Sequence, residues 1–277
     1  MNTRLLVQLI TLLPAAAIAQ PIPVVNHSFE SDPAPPNFWT IRVPAGWSLY
    51  DPAGIVDQNR DAVGCLNPTS STFFPAGAPL DTHVALIYLE GDRGGGHVGL
   101  RQNLPAQLTP NTTYTLRAQV GNIASGIAAP PFNFFFDLDG FSGYAVQLLA
   151  GGVVVAEDFN SLFTQIPEGE FRETTVTLNV GATHPRLGQQ LAIRLVNLNI
   201  PGTPAEPGIE VDFDDIRLDA SPRCLGDFDA SGGVDGDDVI AFFAAWDAGD
   251  PAADVNGDTG VDGDDVILFF SRWDTGC

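Results

Sequence analysis

Apolar and polar positions alternate along most of the first 220 residues. Tyr114, Leu116, Ala118 and Val120 are separated by more polar neighbours, and Val176, Leu178 and Val180, then Leu191, Ile193 and Leu195, repeat the pattern. A period of two places alternate side chains on one face of a β-strand. Segments 84–89 and 98–104 read as further strands, joined by a Gly-rich loop at 91–96. Segments 144–149 and 153–157 flank Ala150-Gly151-Gly152, which predicts a hairpin. Near the end of this region Val211 and Phe213 share one parity while Ile216 and Leu218 have the other. One extra residue at Asp214-Asp215 returns all four to one face, so a β-bulge is expected there. Pro-rich stretches at 31–37 and 201–208 read as surface loops. The expected fold is mainly β, an antiparallel β-sandwich over residues 20–220.

The period changes after residue 220. Asp227 recurs as Asp254, Val234 as Val261, Asp238 as Asp265, Phe242-Phe243 as Phe269-Phe270 and Trp246 as Trp273, each 27 positions on. Residues 221–277 are therefore a duplicated unit of acidic loop plus helix. Oxygen-bearing residues at loop positions 1, 3, 5, 7, 9 and 12 match the spacing with which an EF-hand-like loop surrounds calcium. The first loop offers Asp227, Asp229, Ser231, the Gly233 carbonyl, Asp235 and Asp238. The second offers Asp254, Asn256, Asp258, the Gly260 carbonyl, Asp262 and Asp265. The sharp turn at position 6 falls on Gly232 in the first loop and on Thr259 in the second. Helical stripes follow: Val239, Phe242, Phe243, Trp246 and their copies Val266, Phe269, Phe270, Trp273. Two calcium ions are expected in this small α-helical domain, offsetting the repulsion among its aspartates.

Charge sharpens this division. The chain has 34 acidic and 12 basic residues, every basic one arginine, and a net charge of −22. That balance disfavours nucleic acid and anionic membranes as partners. Residues 224–277 carry 13 aspartates against Arg272 alone. The first 19 residues read as a signal peptide: Arg4, an apolar run at 5–13, Pro14, and a small-x-small site at Ala17-Ile18-Ala19. No later segment reaches membrane-spanning length, and a secreted, extracellular or cell-surface location is expected. Cys224 and Cys277 bracket the acidic segment and form the natural disulfide, closing a loop for about 4 kcal/mol in the chain-entropy model. Cys65 is left either buried and free or available for an intermolecular bond.

Residues 224–277, with two loops in register and a Gly276-Cys277 ending, resemble the type I dockerin family. The resemblance implies calcium binding and docking to a cohesin-like or cell-surface protein through Gly236, Asp237, Gly263 and Asp264. The opening at 25–30, the turn Pro44-Ala45-Gly46-Trp47 and the closing strand at 211–218 resemble a galactose-binding-like jelly roll, as in carbohydrate-binding modules. That resemblance implies a structural calcium held by Glu30 and Asp215. Read as residues alone, these are a surface Glu and a bulge Asp. Sugar binding requires exposed rings, and Trp39 and Tyr50 are the candidates, with Trp47 assigned to the core. Phe134-Phe135-Phe136 reads as an apolar lip or a buried strand, with the strand favoured.

Catalysis has one foothold. Glu210, Asp212 and Asp215 approximate the carboxylate strand of jelly-roll glycoside hydrolases, but a shorter acid and the expected bulge argue against it. No Gly-x-Ser-x-Gly elbow or zinc-binding helix motif is present. The reading of the sequence is thus a secreted, non-catalytic, polysaccharide- or surface-binding sandwich anchored by a calcium-dependent tail, with a jelly-roll glycoside hydrolase or a purely structural surface protein as the alternatives.

Overall fold

Alternating sequence becomes strand across the described residues between 20 and 222. In order these are β1 (Gln20–Ile22), β2 (Phe38–Trp39), β3 (Ser48–Tyr50), β4 (Ala62–Asn67), β5 (Val84–Leu89), β6 (Val98–Gln107) and β7 (Thr112–Asn122). There follow β8 (Gly126–Ile127), β9 (Phe135–Phe136), β10 (Tyr144–Ala150), β11 (Val153–Phe159), β12 (Glu170–Val180), β13 (Gln190–Asn197) and β14 (Ile209–Pro222). This computed structural model describes residues 19–91, 96–200 and 209–276. The expected signal peptide, most of the loop at 91–96, the loop at 201–208 and Cys277 lie outside the described residues. The chain divides into two compact units, one spanning Gln20–Arg223 and one beginning at Cys224. No helix among the described residues is long and apolar enough to cross a membrane.

The first unit is mainly antiparallel β. A seven-stranded sheet has the order β12-β7-β14-β5-β4-β2, with β1 added alongside β14, and a five-stranded sheet has the order β11-β10-β13-β6-β3. A two-stranded ribbon pairs β8 with β9. The inner faces enclose one core, in which Leu116, Ala118, Val120, Val176, Leu191, Ile193 and Leu195 are all buried. The β10–β11 turn uses Gly151 and Gly152 at positive φ, 60° and 81°, which lets the strands reverse without steric cost.

β14 is central, flanked by β7 on one side and by β5 and then β1 on the other. Its register slips between Asp214 and Arg217, and Asp215 takes φ 49°. The slip is what brings Val211, Phe213, Ile216 and Leu218 together in the core. Positions 210, 212 and 214 consequently face the opposite, outer side of the sheet. Cys65 is fully buried and free in the core, and burial pushes its thiol up to about 12.

The second unit has two helices, α1 (Gly236–Ala248) and α2 (Gly263–Thr275). Each is started by a capping box, Asp235 with Asp238 and Asp262 with Asp265. Phe242 and Phe269, equivalent in the repeat, stack at 4.2 Å with an interplanar angle of 2°. The repeats also clamp each other. Trp246 Nε1 donates to the Asp262 carbonyl at 3.1 Å, and Trp273 Nε1 to the Asp235 carbonyl at 2.8 Å. Cys224 is disulfide-bonded. Replacing Trp273 by Phe keeps the ring and deletes one such bond. A loss of about 1 kcal/mol is expected in hydrogen exchange of the α1 amides, and unchanged exchange would show that the clamp holds nothing.

Candidate functional site: an acid-floored aromatic cavity

The outer face of the seven-stranded sheet is not left to solvent. Glu210 pairs with Tyr88, which pairs with Ala62; Asp212 pairs with Leu86, which pairs with Gly64. These rungs form a floor. Above it, a second apolar cluster gathers Leu66, Phe73, Phe74, Val84, Leu86, Ile123 and Leu138, with Trp39, Tyr88, Phe136 and Phe171 packed against it. The loop that carries Phe73 and the segment that carries the β8–β9 ribbon thus build walls on the sheet. Between them lies a cavity of about 540 Å³, lined by Trp39, Phe73, Tyr88, Ile123, Phe134, Phe135, Phe136 and Glu210 among others. Its volume suits a ligand of drug-like size. Its rings are interlocked: Trp39 meets Phe136 edge-on at 5.5 Å, and Phe134 lies 4.4 Å from Phe136. A second cleft of about 560 Å³ runs along 75–79 and 168–172, but its acids, Glu168 and Glu170, are both exposed.

The floor carries the chemistry. Glu210 is 6% exposed and Asp212 0%. Among the described residues no N–H or hydroxyl reaches either oxygen of Asp212, and its polar neighbour is the Glu210 carboxyl itself, to which it is hydrogen-bonded. Two carboxyl groups in contact require a proton between them. Burial raises Glu210 to about 7. Burial first, and then the charge of Glu210, raise Asp212 well above the ordinary carboxylate range. The pair therefore retains a proton near neutrality, held by the two carboxyls together. Asp214, next on the same face, accepts the backbone N–H groups of Leu80 and Asp215, both at 2.7 Å. Burial, outweighing those bonds, still lifts it to about 8. Tyr88, facing Glu210 across the ladder, is raised to about 12 by burial and by the acids Glu90 and Glu210.

The residues expected from sequence are distributed differently. Trp39 is half-buried in the cavity wall, stacked on Phe38 at 5.2 Å and Phe132 at 5.3 Å, rather than standing in solvent as a sugar platform. Tyr50 lies on the other sheet beneath the Arg194 guanidinium, 4.1 Å from its centroid. The two rings form no common platform. Phe134 and Phe135 are 48% and 61% exposed; the expected buried strand is a two-residue ribbon edge that gives the cavity its lip. Glu30 is engaged by Thr82 and His83, including their backbone N–H groups at 2.8 and 2.6 Å. Asp215 is ion-paired with Arg217 at 3.1 Å. Asp215 also stands beyond the bulge from Glu210 and Asp212, so the third member of that row of acids is Asp214.

In the second unit Asp227, Asp229 and Asp238 bring carboxylate oxygens within 4.8 Å of one another. Asp227 Oδ1 is buried without a hydrogen-bond partner, whereas its Oδ2 accepts Gly232 N at 3.1 Å. An unsatisfied buried anionic oxygen beside two further carboxylates is the donor set of a hard cation. The second loop follows the first, with Asp265 accepting Asn256 N at 3.1 Å and Asp262 N at 2.9 Å. Thr259 adopts φ 78°, close to the 94° of Gly232 in the first loop. Gly236, Asp237, Gly263 and Asp264, expected to meet a partner, form the exposed first turns of α1 and α2.

An aromatic cavity above a proton-retaining carboxyl pair defines a small-molecule site with the means for acid chemistry. The comparisons with known proteins agree: the chain belongs to the HpiC1-like cyclase family, whose model, described as HpiC1 cyclase, matches residues 20–219. The apo form of a cyclase from Fischerella sp. is 38% identical, with a TM-score of 0.63, over 74% of this chain and 98% of that one. A Stig cyclase, Fisc from Fischerella sp. TAU, solved with (3Z)-3-(1-methyl-2-pyrrolidinylidene)-3H-indole, is 40% identical, with a TM-score of 0.63, over 74% of this chain and all 100% of that one. A cyclase from the same organism, solved with 4-(1H-indol-3-yl)butan-2-one, is 39% identical, with a TM-score of 0.62, over 74% and 99%. No curated protein matches the chain.

These findings correct the reading of the sequence. The sandwich is that of a cyclase family, so the carbohydrate-binding module, the polysaccharide partner and the non-catalytic assignment are withdrawn. The dockerin resemblance is withdrawn as well, because no dockerin family is found, and the cohesin-like partner goes with it. The sequence reading placed Glu210 and Asp212 on one face, weighed them only against a glycosidase strand, and assigned them a structural role. Phe134, Phe135 and Phe136, weighed there as a lip but read as a buried strand, supply walls for that face.

The raised acids set a pH dependence. The folded chain holds protons on Glu210, Asp212 and Asp214 that the unfolded chain releases near pH 4. Their contribution to stability is full below that value and is lost as pH rises through about 7 for Glu210 and about 8 for Asp214. Denaturant midpoints are expected to fall between about pH 5 and pH 9, and Asp212→Asn to flatten the slope by about one proton. An unchanged slope in that variant would mean that the pair holds no proton.

Proposed function

We propose that the first unit is a cyclase that binds an indole-type substrate in the aromatic cavity and starts ring closure by proton transfer from the Glu210–Asp212 pair. The observation that carries this reading is the pair itself: a buried carboxylic acid kept neutral near pH 7 beneath a cavity walled by rings. A neutral acid in an apolar site is both a hydrogen-bond donor and a general acid. Flat rings such as Trp39, Phe134 and Phe136 match a flat heteroaromatic ligand by stacking, and their faces stabilise the positive charge that protonation creates. Family membership and the two indole ligands of the Fischerella relatives support the substrate class. In this mechanism Glu210, the member of the pair that lines the cavity, passes the pair's proton to the substrate, the pair takes on a second negative charge, and the cation closes its ring. Loss of a proton from the ring-closed product restores the pair.

The second unit is read as a calcium-binding pair of EF-hand-like loops. Asp227, Asp229 and Asp238 with Ser231, the Gly233 carbonyl and Asp235 hold one ion; Asp254, Asn256, Asp258, the Gly260 carbonyl, Asp262 and Asp265 hold the other. Calcium supplies charge neutralisation there. An exported location is supported by the disulfide-bonded Cys224, since such bonds persist in oxidising compartments.

Two measurements test these readings. Incubation with indoles bearing unsaturated side chains is expected to yield mass-conserving ring closure, slowed about 10²- to 10⁴-fold by Asp212→Asn or Glu210→Gln. Full activity in both variants would remove the pair from the mechanism. Calcium titration of the whole chain, followed by Trp fluorescence, is expected to saturate with two ions and to lose one in Asp227→Asn. A flat titration would end the calcium assignment.

A further inference from the structure

Each tryptophan of the second unit is built into one repeat and bonded to the other. Trp246 lies in the last turn of α1, just before the C-cap Gly249, and its indole donates to the carbonyl of Asp262, the N-cap of α2. Trp273 lies in the last turn of α2, just before Gly276, and its indole donates to the carbonyl of Asp235, the N-cap of α1. The two caps have the same backbone, φ −147° and ψ −167° at Asp235 against φ −146° and ψ −165° at Asp262. One contact is thus made twice, each time across the repeats.

The accepting carbonyls belong to the calcium loops themselves. Asp235 and Asp262 stand at loop position 9. Their backbone N–H groups donate to the residues at position 12, Asp235 to Asp238 Oδ2 at 2.8 Å and Asp262 to Asp265 Oδ2 at 2.9 Å. Their carboxylates accept Asp237 N and Asp264 N at 2.8 and 2.9 Å. A bond to the cap carbonyl therefore steadies the one residue through which positions 9 and 12 are held together. The aromatic core makes no such assignment, because Phe228 meets both Phe242, at 5.4 Å, and Phe269, at 6.1 Å. Trp246 meets Phe243 and Trp273 meets Phe270 edge-on, both at 6.3 Å. A phenyl ring in either place keeps an aromatic contact and removes only the donor.

We propose that Trp246 and Trp273 are positioning residues for the calcium site of the opposite repeat: Trp273 sets the affinity of the loop at 227–238, and Trp246 that of the loop at 254–265. The inference rests on the reading of both loops as calcium sites and adds the distant residue that tunes each one. By linkage, an ion in one loop strengthens the indole bond which that loop accepts. The helix so anchored begins at the cap of the other loop, so the two sites communicate along α1 and α2.

The test is a calcium titration of the full chain followed by amide NMR at Gly233 and Gly260, which hold equivalent positions in the two loops. Trp273→Phe is expected to raise the calcium midpoint at Gly233 about fivefold, the size of one lost hydrogen bond, and to move that at Gly260 much less. Trp246→Phe is expected to do the reverse. A tryptophan that only supports the fold would shift both loops alike. Equal shifts, a larger shift in the substituted repeat, or no shift overturns the crossed assignment and leaves the calcium sites standing. Asp227→Asn gives the converse measurement with both indoles in place. At saturating calcium its Trp273 indole N–H is expected to exchange with solvent faster than in the unsubstituted chain, while that of Trp246 changes much less. Equal changes at the two indoles, or none, again overturn the assignment. No calcium response at either glycine of the unsubstituted chain removes the calcium reading and this inference together.

Discussion

The burial of two adjacent carboxyl groups on β14 is the constraint around which the first unit is organised. An isolated buried carboxylate costs several kcal/mol even after relaxation, and among the described residues Asp212 receives no donor other than its neighbour. The low-energy resolution is to keep a proton. That in turn requires the surroundings to stay dry, since water entering the floor would restore the ordinary carboxylate range. The rungs of Tyr88 and Leu86 beneath, and the cover of Phe73, Ile123, Leu138 and the ribbon above, keep the pair from solvent. The apolar walls and the acid are therefore one device: neither has its properties without the other.

β14 is suited to hold such a pair because it is central. Backbone pairing to β5 and β7 on its two edges satisfies its N–H and C=O groups over Asp212 and Phe213, so the strand cannot shift to relieve its side chains. The bulge at Asp215 matters for the same reason. It lets one strand present Val211, Phe213, Ile216 and Leu218 to the core while ending the outward row of acids at Asp214. Gly121, paired with Asp212, has room for no side chain: an added Cβ would lie 2.5 Å from the Phe171 ring. The sheet thus supplies a rigid floor to a site whose walls come from loops, the usual division of labour between scaffold and function.

Much of this was written in the sequence, in the parts governed by period. Alternation in β7, β12 and β13, the Gly151-Gly152 turn and the parity break at Asp214-Asp215 depend on local rules, and the structure contains each of them. The cavity depends on something else. Whether Phe134 and Phe135 lie in a core or on a lip is decided by the path of residues 123–141 across a sheet face, and no period encodes that path. Trp39 was legible as a ring in a loop, yet its neighbours Phe132 and Phe136 are almost a hundred positions away. Glu210 and Asp212 were visible as acids on one face. Their chemistry was not, because it follows from burial, and burial is contributed by those distant rings.

The second unit makes the converse point. Its duplication was legible to the residue, since identical spacing at 27 positions leaves little freedom. The structure adds a coupling that the repeat alone does not imply. Each tryptophan bonds to the loop of the other repeat, at the carbonyls of Asp262 and Asp235, the residues that cap α2 and α1. A ligand that orders one loop therefore fixes the partner helix through its indole, and the stacked Phe242 and Phe269 transmit the same alignment. Duplication here yields two loop-helix units that brace each other, and a fold of this size, with four fully or nearly buried apolar residues at its centre, depends on that reciprocity as well as on its core.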